Sequence, residues 1–326
     1  MLKGIILYEG KSQLDGESIV CIATGFDTRS QNKKTGDMVQ TWIIRSDISP
    51  EDAARTGADS SICGDCKLRG IISKLPNGEQ INRHRGCYVF VGQAPQAVWN
   101  SYRQGDYAGP QDQDKHFRGR MVRFGSYGDP CAVPAAIWCR IASDAAGWTG
   151  YTHKWREELF HDYRRFLMAS VDSEQEAAEA KQLGWRWFRL APKDTLPLAG
   201  EFHCPASAEE GYRLTCDQCR ACDGAGDNAG RASVTIWPHG PPSAIHGYAR
   251  AFQGESGDVQ HRKNLSATDV RLLDELRTNG VGSAAQLAQM IGRGTQATAS
   301  RMWHLRQLGY VRRIGRGLYE IASKQP

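Results

Sequence analysis

Hydrophobic positions in the first part of the chain fall into short, strand-length runs. Residues 4–8, 18–23 and 39–45 (VQTWIIR) are the clearest, and they make residues 1–60 a β-rich opening segment. Between the second and third runs lies the polar turn Asn32-Lys33-Lys34-Thr35-Gly36. It reads either as a hairpin loop or as a loop whose lysines and amides contact an anion. Residues 94–102 read as a helix, and 103–116, rich in Gly, Asp and Gln, as a loop.

From residue 120 the pattern becomes an alternation of strands and helices. Strands are expected at 120–125 (RMVRFG), 148–152, 166–171 (FLMASV) and 185–190 (WRWFRL). Helices are expected at 134–144, with Pro134 in the first turn, and at 173–183. The second helix has Ser173 as its cap, Glu176 to complete a capping box and Gly184 to stop it. Such spacing predicts parallel βαβ units, and four in sequence suggest a barrel or part of one. A cysteine-rich stretch, 203–224, interrupts the alternation before one more strand at 232–237 (ASVTIW). The expected fold class is therefore α/β. An incomplete (β/α) barrel over 61–237 carries cysteine metal sites, and 238–264 forms a linker.

Residues 265–326 follow a different plan. Ser266 to Asp269 opens a helix with Val270, Leu273 and Leu276 on one face, ended by Asn279-Gly280. A second helix follows Ser283, and a third runs from about 295 to 308 with Ala299, Met302, Leu305 and Leu308 as its apolar stripe. The pairs Val311–Ile314 and Leu318–Ile321 then form a hairpin around Gly315-Arg316-Gly317. This order predicts a small C-terminal winged helix-turn-helix domain. Gln296, Ser300, Arg301 and His304 would face base edges, and Arg312, Arg313 and Arg316 would neutralise phosphates. The rival reading is a winged helix that contacts protein.

Charge sharpens that expectation. The chain has a net charge of +5, from 41 basic and 36 acidic residues. The last 62 residues hold 9 of the former and 4 of the latter, so the tail carries the whole excess. An anionic partner for the tail, most simply duplex DNA, follows. No apolar run is long enough to span a bilayer, and the start of the sequence has no signal-peptide core. A cytoplasmic protein with no membrane partner is expected.

Ten cysteines in such a chain point to metal rather than disulfides. Cys204, Cys216, Cys219 and Cys222 give C-x11-C-x2-C-x2-C, able to close round Zn²⁺ or a [4Fe–4S] cluster. Cys63 and Cys66, with Cys87 beyond, give three thiolates. Adding His84 makes a structural zinc site, and leaving it out makes a three-thiolate site with an open position. Cys139, inside the apolar pattern Ile137 to Ile141, reads as a buried small hydrophobe. Arg123, Ser126, Asp129, Tyr151, Thr152, His153, Ser170 and Asp172 fall at or near the C-terminal ends of expected parallel strands, where barrels build their sites. Of these, Arg123, Asp129, Thr152, His153 and Ser170 are the candidate catalytic residues.

Several strings in this chain form a recognisable set: Cys63-Gly64-Asp65-Cys66, Gly86-Cys87-Tyr88, VRFGSYGDP (122–130), WTGYTHKW (148–155), MASVDS (168–173) and the CPAS and CDQCRAC pieces of 204–222. Over about residues 20–225 they resemble an uncharacterised family of tailed-bacteriophage proteins, and more loosely the radical SAM superfamily. Most radical SAM proteins use C-x3-C-x2-C, whereas here Cys87 stands far beyond Cys66. The resemblance implies a catalytic-type cluster on Cys63, Cys66 and Cys87, an auxiliary cluster on the other four cysteines, and S-adenosylmethionine as co-substrate. The resulting expectation is a phage-type, Fe–S-dependent enzyme acting on nucleic acid or a nucleotide, targeted by its winged helix. The alternative is a non-catalytic, zinc-stabilised DNA-binding protein of phage replication or transcription. A rolling-circle type nickase ranks last, because the nine histidines include no His-x-His pair.

Overall fold

The computed structural model describes residues 2–27, 30, 32–74, 80–83, 85–109, 114–226, 230–240, 244–245, 247–248, 267–307, 310–315 and 317–321. His84, Leu308 and Arg316 lie outside the described residues, as do the side chain of Val270 and most of the expected linker. The chain divides into two compact units, Met1–Phe252 and Gln253–Pro326.

The first unit is built on nine strands of one sheet. Strands β1 (Gly4–Lys11), β2 (Ser18–Thr24) and β3 (Met38–Arg45) form an antiparallel meander. Helices α1 (Pro50–Thr56) and α2 (Ser60–Cys63), the hairpin β4 (Ile71–Lys74) and β5 (Gln80–Arg83), and α3 (Ala94–Arg103) follow. Next come β6 (Met121–Tyr127), α4 (Ala135–Asp144), β7 (Gly147–Thr152), β8 (Met168–Val171), α5 (Glu174–Gln182) and β9 (Trp187–Leu190). The unit closes with β10 (Glu201–His203), α6 (Cys216–Cys219) and β11 (Ser233–Ile236). The sheet order is β1-β2-β3-β6-β7-β8-β9-β11-β10, and every pairing from β3 onward is parallel. The architecture is thus mixed α/β around a large, mostly parallel sheet.

Two expectations are corrected here. The opening segment does not stand apart, because β3 pairs with β6 and continues the same sheet. Residues 19–23 of β2 are all fully buried, so both faces of this strand are covered as in the interior of a large sheet. Cys139 is exposed rather than buried. In α4 the buried positions are Trp138 and Ile141, one helical turn apart, which puts Cys139 on another face. Trp138 also spends its indole N–H on the Pro130 carbonyl at 2.9 Å, so its burial leaves no orphan donor.

Strand order explains the second cysteine stretch. β10 follows β9 in sequence but lies beyond β11 in the sheet, so the chain must return to insert β11 between them. Residues 204–232 are that return. Arg186, only 3 % exposed in its side chain, holds the end of this segment. It donates to the carbonyls of Ala221, Gly224 and Ala232 at 2.6–2.8 Å and to Asp223 at 2.9 Å.

The second unit contains α7 (Ala267–Asn279), β12 (Val281–Ser283), α8 (Ala284–Ile291), α9 (Thr295–Gln307), β13 (Val311–Arg313) and β14 (Leu318–Ile321). Its three strands form an antiparallel sheet in the order β12-β14-β13. Leu272, Leu273, Leu276, Leu287, Ile291, Met302 and Leu305 make its own core with Tyr310 and Val311. Among the described residues, no helix of either unit is long and apolar enough to cross a membrane.

Candidate functional site

Strand periodicity builds one cavity of about 380 Å³ in the first unit. Its walls carry Arg123, Gly125, Ser126 and Tyr127 from β6 and Ser170 and Val171 from β8, and alternate residues elsewhere: Thr149 and Tyr151 from β7, Phe188 and Leu190 from β9, and Val234 and Ile236 from β11. A period of two is what one face of a sheet dictates. The same parity carries past the strand ends to Asp129 and His153, and through Ser170 to Asp172. It also explains the one candidate that is absent from the wall. Thr152 has the opposite parity and is fully buried behind the cavity, where its hydroxyl donates to Asp129 Oδ2 at 3.1 Å. Arg123, Asp129, His153 and Ser170 are brought together; Thr152 supports one of them.

All seven clustered cysteines line this cavity. The first set stands at the strand ends. Cys63 closes α2, and the backbone N–H of Asp129 donates to the carbonyl of Ile62 beside it. Gly86 and Cys87 both donate to the Leu68 carbonyl, at 3.0 and 2.9 Å. The long gap between Cys66 and Cys87 is therefore an excursion through the β4–β5 hairpin that returns Cys87 to its partners. Below them Asp59, fully buried, accepts from Arg69 at 2.7 and 2.9 Å and from Arg85 at 2.9 Å. Burial pushes the Cys63 and Cys87 thiols up, and Arg85 acts in the opposite sense on both.

Proton-bearing groups gather around the first set. Burial disfavours charge on His153, but the Cys66 sulfur at hydrogen-bonding distance, with Asp129 and Asp172, outweighs it and raises the imidazole to about 10. Asp129 is raised by burial. Its carboxylate accepts from the backbone N–H groups of Cys131 at 3.0 Å and His153 at 2.8 Å, which locks the β6 and β7 ends together. Burial raises Asp172 to about 6, against His153 and Lys67.

The second set is knit in by the backbone. Cys204 donates to Thr235 of β11 at 2.8 Å, and the Cys222 carbonyl accepts from Gly150 of β7 at 3.1 Å. Cys216 and Asp217 donate to the carbonyls of Lys34 and Thr35 at 3.0 and 3.1 Å. The turn before β3 is thus neither a plain hairpin loop nor free: it clamps the cysteine turn. Gly36 makes this possible, since it sits at φ +70° and a Cβ there would lie 2.0 Å from the Asp217 carboxylate.

The donor set is sulfur only, four thiols in one case and three in the other, as soft-metal and Fe–S sites require. Among the described residues, no three His, Cys, Asp or Glu side chains are drawn together tightly enough to hold a single metal ion.

Sequence reasoning missed Tyr88, His239 and Tyr248, which also line the cavity. Tyr88 follows Cys87 directly and its hydroxyl accepts from Arg123 at 2.9 Å. Pro238, His239, Gly240, Ala244 and Tyr248 fall in the expected linker, yet they form cavity wall, so this part belongs to the first unit. Polar, Pro- and Gly-rich composition gave no hint of it.

In the second unit Gln296, Ser300 and His304 are exposed on α9, with Trp303 beside them 58 % exposed. Arg301, expected at a base edge, instead forms a two-pronged pair with the buried carboxylate of Asp269, one contact at 2.7 Å. Arg312 pairs with Glu320, and Arg313 donates to the Gly315 carbonyl at 3.0 Å. No family model, curated protein or solved structure matches the chain.

Proposed function

We propose that residues 1–252 form an incomplete (β/α) barrel carrying radical-SAM-like Fe–S chemistry on nucleic acid or a nucleotide, and that the second unit is a winged helix-turn-helix for duplex DNA. One observation carries the reading: two cysteine sets far apart in sequence line a single cavity whose wall also carries residues of the parallel strands. When bound at Cys63, Cys66 and Cys87, a cluster supplies one-electron reducing chemistry at its position without a thiolate. Around it, the His153 imidazole stands on the cavity wall with Cys66, and Asp129 fixes the backbone of His153. Tyr127, Tyr151 and Phe188 exclude water from the wall. S-adenosylmethionine is the co-substrate that the looser radical SAM resemblance implies.

The DNA reading rests on the order of helices and strands, on the basic excess of the tail and on the exposed Gln296 and His304. Arg301 leaves that list as a structural residue. The zinc-stabilised, non-catalytic alternative is favoured by one feature, the dense backbone bonding of the Cys204–Cys222 segment, which suits a folding staple.

Anaerobically purified protein reduced with dithionite and given S-adenosylmethionine is expected to release methionine and 5′-deoxyadenosine. Release no greater than from Cys87→Ser would refute the enzyme reading. For the tail, binding of the full chain to duplex DNA should weaken steeply with salt. It should weaken again in Gln296→Ala and His304→Ala, while Arg301→Ala should lower stability first.

A further inference from the structure

The cavity of the first unit is charged unevenly. Among the described residues its carboxylates are Asp129 and Asp172, past the C-terminal ends of β6 and β8, and both have partners. Asp129 accepts from two backbone N–H groups, and Asp172 lies 3.5 Å from Lys67. Arg123 stands deeper, in the first half of β6, level with Thr149 of β7. Elsewhere this unit pairs its buried arginines with carboxylates: Arg45, Arg69, Arg85, Arg186 and Arg189 each meet one at 2.7–2.9 Å. Arg123 is partly buried on the cavity wall and donates to the neutral Tyr88 hydroxyl at 2.9 Å, and among the described residues no carboxylate pairs with it. The neighbouring cations are engaged otherwise. Lys34 has Glu209 at 4.0 Å, and Arg220 is exposed, its Nε donating to the Asp217 carbonyl at 2.9 Å.

A guanidinium that meets only a phenol on a cavity wall keeps donors for an entering oxyanion and binds it through charge-assisted bonds. Tyr88 is itself held in place. Its ring lies 5.3 Å from that of His239, whose Nδ1 is 3.3 Å from the Trp237 carbonyl. Farther along the sheet the wall turns apolar, with Phe188 and Leu190 of β9 and Val234 and Ile236 of β11. The Phe188 ring lies 4.7 Å from that of Tyr151. From β6 to β9 is three strand steps, at most about 14 Å. That span suits a flat ring joined to an oxyanion through a sugar, and a cavity of about 380 Å³ admits one such molecule. We propose that Arg123, oriented by Tyr88, anchors the phosphate of a nucleoside monophosphate whose base lies against Phe188 and Val234. The assignment narrows the substrate class of the proposed function and rests on the nucleotide part of that reading.

The test is calorimetric titration of the full chain with the four 2′-deoxynucleoside 5′-monophosphates and the four matching nucleosides. At least one monophosphate should bind the wild type about 10-fold or more tightly than its nucleoside, with inorganic phosphate competing. Arg123→Met should abolish that preference while leaving nucleoside binding unchanged, which separates loss of the anchor from folding damage. Arg123→Lys, which keeps the charge without the planar fork, should retain the preference in part. Tyr88→Phe removes an acceptor and no charge, and should retain it too. No binding of any monophosphate, equal affinity for phosphate and nucleoside in the wild type, or a preference that survives in Arg123→Met would overturn the proposal. The enzyme reading fails separately. Release of 5′-deoxyadenosine without a phosphate preference would remove the subsite and leave that reading standing, and an Arg123-dependent preference without such release would do the reverse.

Discussion

The two cysteine sets face one cavity but are held in different ways. Cys204, Cys216 and Cys222 are bonded through their backbones to β11, to the turn before β3 and to β7, so their positions are part of the sheet. Cys63, Cys66 and Cys87 come from a helix end and the two sides of a hairpin excursion, and their neighbours are a histidine and carboxylates. Three of the four cysteines of the second set are thus held by backbone bonds to three separate elements. Those of the first set stand beside proton-bearing groups. The difference teaches that a shared cavity can be lined by thiols held in two ways, one set fixed by strand backbone and the other set among proton-bearing side chains, and under the proposed function that difference separates a structural set from a chemical one.

The largest effect should separate the two sets directly. Cys219→Ser should abolish soluble, folded protein or lower its stability by more than about 5 kcal/mol, since a closed site contributes folding free energy outright. Cys87→Ser should stay folded and lose only the first centre. Thermal melts with metal analysis on both variants check this, and equal collapse would erase the distinction.

Next in size is the support under the first set. Asp59→Ala leaves Arg69 and Arg85 facing each other with no buried carboxylate between them, and should cost about 3–5 kcal/mol in urea unfolding. If the loss is below about 1 kcal/mol, the first set does not rest on that network.

A pH effect should appear beside the first set alone. Asp172 faces Lys67, Glu176, His153 and Tyr248, and its folded value of about 6 lies above the ordinary carboxylate value. The folded state thus holds this proton more tightly than the unfolded chain. Its contribution is fully present below about pH 4 and is lost as pH rises through about 6, a change of about 3 kcal/mol. Asp172→Asn should flatten that part of the stability profile. An unchanged slope between these pH values would show that Asp172 titrates normally.

The smallest effect concerns the clamp on the second set. Gly36→Ala meets both a left-handed backbone and the Asp217 carboxylate, which itself accepts from the Asp37 N–H at 3.2 Å. A loss of about 1–2 kcal/mol is expected, with faster metal release from the second centre only. Faster release from the first centre instead would place the clamp elsewhere.

Much of this was legible in the sequence where local pattern decides structure. The strand at 120–125 and the helix capped by Ser173 appear as β6 and α5, with the Ser173 hydroxyl accepting from Glu176 N–H at 3.1 Å. The cysteine spacings marked the seven cysteines that line the cavity. What stayed hidden depends on sheet order. Three residues of β10 carry too little pattern to announce a strand, and their place beyond β11 cannot be read from the chain. Tyr248 and His239 reach the cavity from a stretch whose composition says only loop. Arg301 has a helical position that suits a base contact, but its partner Asp269 lies on another helix.

The central claim is that the seven-cysteine cavity holds iron and sulfide, and elemental analysis of protein purified without oxygen tests it most directly. The account predicts a brown protein whose iron and acid-labile sulfide exceed one cluster per chain, falling in Cys87→Ser to what the second set alone retains. A colourless protein with zinc and no labile sulfide, in wild type and variant alike, would contradict it.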